Sequence, residues 1–167
     1  MNISAANIEI CRQLAKGGNV RTQVISKKLL LVIPEPAYYG YVMDVKDPVF
    51  SIEKTASVDK KKQIIKLSIL NQKNEITPTP YLRVLTNKHN ETARLFKSSA
   101  GNVWVNTKYL KHINIRQCKF YQDRTNRNSL ILVVEKEKTP VMCVLPLRTF
   151  DEQEPCFEEL EAEAGGT

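Results

Sequence analysis

The apolar positions of this chain repeat mostly with the period of a strand, and in two places with the period of a helix. Over residues 4–16, Ile8, Cys11, Leu14 and Ala15 recur at helical spacing, which predicts an amphipathic helix with Ser4 as its N-cap and Gly17-Gly18 as its stop. Residues 20–33 predict two strands joined near Ser26, Lys27 and Lys28. Within them the run 29–33 has no polar residue, the pattern of a strand buried on both faces. Residues 38–45 alternate, with Tyr39, Tyr41 and Met43 on one face and Tyr38 and Val42 on the other. Residues 63–70 also alternate, and predict a strand that turns Ile65, Leu67 and Ile69 inward.

Residues 46–62 read as a loop or ragged strand. Residues 71–80 read as a polar loop, because Pro78 and Pro80 lack the N–H a ladder needs. Residues 81–86 and 92–98 flank a polar turn and predict a hairpin. The stretch 103–148 then compresses a strand (103–105), a polar cap at Asn106, a short helix carrying Leu110 and Ile113, and strands at 117–122, 130–134 and 141–145. The expected fold class is α+β, a mainly antiparallel sheet with two short-to-medium helices. Residues 1–150 form one domain and 151–167 an unstructured tail.

Charge divides at the same point. The chain holds 25 Lys and Arg against 18 Asp and Glu. Seven of those acids, and no base, lie in 151–167, which leaves eleven acids in the body against all 25 bases; the body is therefore +14 and the tail −7. A body this basic favours polyanions such as nucleic acid. The tail can compete for the same surface by a salt-screened attraction, and its Phe157 and Leu160 form a candidate docking motif. Apolar runs fall far short of the ~20 residues of a membrane-spanning helix. The start lacks the order of a signal peptide, so the expectation is a cytoplasmic protein with no membrane partner.

Chemistry-bearing motifs are absent. No phosphate-binding glycine loop, zinc-protease helix or nucleophile elbow occurs, and Cys11, Cys118, Cys143 and Cys156 are too scattered for a metal site. No cofactor is implied, and the chain reads as a non-enzyme. His112, Asp123 and Tyr109 are the residues to inspect were it one. The candidate phosphate contacts are Lys60, Lys61 and Lys62, the pair Arg124 and Arg127 in a polar turn, and the two helices. Tyr38, Tyr39 and Tyr41 are candidate stacking platforms.

In the stretch 103–148, the sequence Val103-Trp104-Val105-Asn106-Thr107-Lys108-Tyr109-Leu110 and the ending Leu145-Pro146-Leu147-Arg148 resemble the last part of bacterial DNA sliding clamps. The resemblance implies a clamp-like domain in DNA replication, with helices over DNA phosphates. Arg12 with Lys16, and Lys108 with Lys111, match that role, and Leu145 and Leu147 match the clamp's peptide pocket. Clamp rings use several such domains, the family ends near its Pro-Met-Arg sequence, and the first hundred residues match no clamp motif. The expected function is a DNA-transaction accessory protein with a clamp-like domain, DNA being favoured over other nucleic acid. The alternative is a protein-interaction or inhibitory module of phage or mobile-element type, using an apolar groove or a sheet edge; a protein partner or a homo-oligomer fits that alternative.

Overall fold

The computed structural model describes residues 1–35, 38–58, 63–85, 91–99, 101–135 and 139–147, and the backbone of 156–158. It is an α+β protein built on one large, mostly antiparallel sheet. Helix α1 (Ile3–Ala15) begins at Asn2, whose side chain accepts from the Ala5 N–H at 3.1 Å; Asn2, not Ser4, is the cap. Gly17, at φ +72°, closes it. The buried face is Ala6, Asn7 and Ile10, with Ile3 and Leu14 beside it, whereas Ile8 is 53% exposed. The apolar stripe expected from the sequence is therefore rotated. The reason is Asn7, a buried polar residue on the packed face: its amide donates to the Asp47 carbonyl at 2.9 Å, and its oxygen accepts from the Val49 N–H at 3.1 Å. Asn7 thus fixes the loop after the third strand.

Strands β1 (Arg21–Ile25) and β2 (Lys28–Ile33) form a hairpin whose two central residues, Ser26 and Lys27, both have positive φ. Strand β3 (Tyr39–Met43) pairs with β2, and β4 (Ala56–Ser57) adds to β1 in parallel. Next come β5 (Glu75–Val84), β6 (Thr92–Lys97), β7 (Val103–Asn106), β8 (Lys119–Tyr121), β9 (Ile131–Glu135), β10 (Thr139–Val144) and β11 (Cys156–Glu158). The spatial order is β4-β1-β2-β3-β10-β9-β8-β5-β6-β7, and β11 lies antiparallel on β5. Leu145 donates to the Tyr38 carbonyl and Leu147 to the Trp104 carbonyl, each at 2.8 Å, so the chain after β10 ties the middle of the sheet to its last strand.

Two cores flank the sheet. One face packs Tyr39, Tyr41, Met43, Phe96, Phe120 and Val133 under α1 and Tyr109-Leu110. The other packs Leu30, Val32, Val42, Leu132 and Cys143 under residues 63–74. The alternation along β3 matches the sequence reading, and β2 is as central as its unbroken apolar run implies. Gly40 is required there: a Cβ would sit 2.5 Å from the Leu31 carbonyl oxygen.

Three further expectations are corrected. Residues 63–70 are not a strand. They lie over the second core as a cover with one 3₁₀ turn, Leu67–Ile69, because the buried side chain of Gln23 takes their backbone groups: it donates to the Ile65 carbonyl at 3.1 Å and accepts from the Ile64 N–H at 2.6 Å. The second helix is a single 3₁₀ turn, Thr107–Leu110, capped by Asn106, whose oxygen accepts from the Lys108 N–H at 2.9 Å. Residues 75–80 belong to β5 despite two prolines. The ladder to β6 slips between Pro78 and Leu82, and side chains fill the gap: the Thr79 hydroxyl donates to the Leu95 carbonyl at 2.9 Å, and the Arg94 guanidinium to the Thr79 carbonyl at 2.7 Å.

Candidate functional site

The register of the strands brings Arg21, Tyr38, Leu145 and the β8–β9 loop to one end of the sheet. There, on the face covered by residues 63–74, two adjoining clefts share Gln63 and Ile64 as a common wall. One, of about 410 Å³, is lined by Arg21, Tyr38 and the backbone around β4. The other, of about 400 Å³, is lined by Lys66, Ser68, Asn74, Asp123 and Ser129. Arg21 and Lys66 are exposed, and Tyr38 is half-buried. Burial raises the Tyr38 pKa, and the charge of Arg21, with a hydrogen bond to it, opposes that. The phenol therefore stays neutral beside a cation, with part of its ring open to the cleft.

The wall containing Asp123 is a preorganised loop. Asp123 accepts from the Thr125 N–H at 2.9 Å and from the Thr125 hydroxyl at 2.6 Å, which together hold its carboxyl below the usual range. Asn126 accepts from the Asn128 N–H through its side chain at 3.0 Å, and from the Ser129 N–H through its carbonyl at 2.9 Å. Beneath the loop the Gln122 amide, 1% exposed, donates to the Arg127 and Ser129 carbonyls at 2.8 and 2.9 Å. Asn74 sews the loop to the cover: its carbonyl accepts from the Gln122 N–H, and its amide donates to the Ile69 carbonyl. With its backbone so occupied, the loop directs Arg124 and Arg127 into solvent, with no carboxylate at ion-pair distance among the described residues. Ser129 Oγ and Gln122 Oε1 are buried without a hydrogen-bond partner among the described residues, and Ser129 lines the cleft.

The sequence candidates divide between the two faces. Arg124 and Arg127 belong to the cleft end. Arg12 and Lys16 are exposed at the end of α1, on the opposite face. Lys108 pairs with Glu91 at 2.9 Å, which raises its pKa, and Lys111 pairs with Glu9 at 3.8 Å. Those two lysines already carry partners. Lys60, Lys61 and Lys62 lie outside the described residues, as does His89. Leu145 and Leu147 are half-buried, bond through their N–H groups to Tyr38 and Trp104, and line neither cleft. Tyr39 and Tyr41 are core residues; of the three tyrosines, Tyr38 reaches the cleft.

His112, Tyr109 and Asp123 do not converge. Tyr109 and His112 belong to the α1 face, where Tyr109 packs on Tyr39 and His112 faces Tyr41 at 5.8 Å; Asp123 lines the cleft. No group of three or more His, Cys, Asp or Glu suited to a metal occurs among the described residues. None of the described helices is long and apolar enough to cross a membrane. Sequence reasoning missed Arg21, Gln63, Lys66, Asn74 and Ser129. They sit far apart in the chain and meet only because Gln23 and Asn74 hold the cover against the sheet; the Asx-turn spacing of residues 123–128 was the visible part. No protein family, curated protein sequence or solved structure matches this chain.

Proposed function

We propose that this chain is a non-enzymatic nucleic-acid-contacting protein, an accessory in DNA transactions, whose contact surface is the cleft end of the sheet. The observation that carries the reading is the pairing of a preorganised loop bearing two solvent-directed arginines with a cleft that presents Arg21, Lys66 and the Tyr38 ring. Phosphates need cations that are not already neutralised, and a single strand gains further from an aromatic face. Among the described residues Asp123 is the one acid lining either cleft, and repulsion of phosphate from it favours contact at the rim over deep insertion. The likeness of residues 103–148 to the sliding-clamp ending supports the same association with DNA. Of the clamp-like helix positions, Lys108 and Lys111 are paired to acids, whereas Arg12 and Lys16 are exposed on the opposite face.

The test is a salt-titrated binding assay of the full chain on single- and double-stranded DNA. Binding at low salt that falls steeply toward physiological salt, and more tightly for single strands, is the expected result. Absent binding at low salt, or a response flat in salt, would sink the proposal.

A further inference from the structure

Strand β8 is only three residues long and meets β5 only at Glu75 and Ile76. Beyond that point the same edge of β5 runs on to Val84 with no strand of the body beside it, and such an edge offers a row of backbone donors and acceptors to any extended segment. In this chain the segment that takes it comes from the acidic tail: Cys156 pairs with Arg83, Phe157 with Leu82 and Glu158 with Tyr81.

The local charge suits an acidic occupant. Arg83 is 3% exposed, with its guanidinium 4.7 Å from the centre of the Trp104 ring, and Arg94 on the neighbouring strand is 9% exposed. Cations this buried favour anionic neighbours, and residues 151–163 carry seven carboxylates. Tyr81 and Val84, 40% and 49% exposed, leave apolar surface along the strand.

The seat is also built for exchange. Leu147 is bonded to β7, and the far side of β5 lies at most about four strand spacings, roughly 19 Å, from it. The eight residues 148–155 span up to about 27 Å when extended. The tail therefore reaches its seat with slack, and a ladder of three residue pairs is short enough to open.

We propose that the β5 edge at residues 81–83 is a strand-docking site for a protein partner that supplies an extended segment of the tail's chemistry, an apolar residue flanked by carboxylates, and that residues 156–158 hold the site until such a segment displaces them. The tail is the resident competitor, at an effective concentration near the millimolar range set by its short connection. The inference is independent of the nucleic-acid proposal, which concerns the other end of the sheet and other residues.

The experiment uses the full chain carrying Cys156→Pro and Phe157→Pro. Successive amides in a strand point to opposite sides, so the double change removes the donor facing β5 whichever of the two it is, and together with Pro155 it holds the segment out of β geometry. The probe is a labelled synthetic peptide of residues 151–167. The peptide is expected to bind the double variant at least about ten-fold more tightly than the wild-type chain. Amide hydrogen exchange at residues 81–84 is expected to speed up in the variant and to slow again when the peptide is added. Equal affinity for the two proteins, or binding that leaves exchange at 81–84 unchanged, overturns the proposal. A wild-type chain that is dimeric and becomes monomeric in the double variant also overturns it, by making a second copy of this chain the occupant.

Discussion

Glu9 joins three elements through one carboxylate. One oxygen accepts from the Tyr39 hydroxyl at 2.9 Å, and the other faces the Lys111 ammonium at 3.8 Å. Burial raises the Glu9 pKa; the Tyr39 hydrogen bond and the Lys111 charge outweigh it and leave the carboxyl below its ordinary 4.5. A lowered folded-state pKa means a contribution that is complete above the unfolded value and is lost as pH falls through the folded one. Glu9→Gln keeps an acceptor for Tyr39 and removes the charge. The variant is expected to be about 1 kcal/mol less stable than wild type at pH 7, the scale of one charge-assisted hydrogen bond exchanged for a neutral one. The gap is expected to narrow as pH falls below 4.5, since wild type protonates there and the variant does not. Urea midpoints at pH 7 and pH 3 measure it, and a gap independent of pH would refute the assignment.

At the scale of elements, the β1–β2 hairpin closes on a turn its residues do not favour. Ser26 and Lys27 stand at φ 47° and 64°, the left-handed region that a two-residue turn between twisted strands demands and that Asn-Gly adopts most readily. Ser26→Asn with Lys27→Gly is expected to raise stability by about 1 kcal/mol through relief of that strain, read as a shift in urea midpoint at unchanged slope. A variant no more stable than wild type would mean that the lysine side chain supports the turn.

The same hairpin shows how far the sequence is legible. Its two strands and turn position follow from alternation and an apolar run, as do the face assignments of β3, because in each a backbone partner lies next in the chain. Legibility fails where a side chain supplies the partner. Gln23 occupies the backbone of the 63–65 segment, so an alternating run became a cover. Thr79 and Arg94 stitch the slipped ladder, so a proline pair became strand. Asn7 is buried by its bonds to Asp47 and Val49, so the helix stripe turned. Polar residues that serve a distant backbone carry no periodic signal. The cleft inherits that opacity, since its walls are the elements those residues hold.

For the whole molecule, charge is arranged by face, and the arrangement makes the nucleic-acid proposal separable from net charge alone. Three pairs of cations compare like with like, each pair removing two charges. Arg124 and Arg127 stand at the cleft with no carboxylate at ion-pair distance among the described residues; Arg12 and Lys16 stand on the opposite face; Lys108 and Lys111 are held by Glu91 and Glu9. Each phosphate neutralised contributes about 0.7 to the slope of log affinity against log salt on single-stranded DNA, and about 0.9 on duplex. Replacing Arg124 and Arg127 with Ala is therefore expected to reduce that slope by about 1.5, with weakened binding. The Arg12 and Lys16 pair, and the Lys108 and Lys111 pair, are each expected to change it by less than about 0.5. If all three pairs reduce the slope equally, the body attracts DNA through its overall +14 and no face is a site. If the α1 pair dominates, the contact surface is the helix face, as the sliding-clamp resemblance implies, and the cleft is not the site.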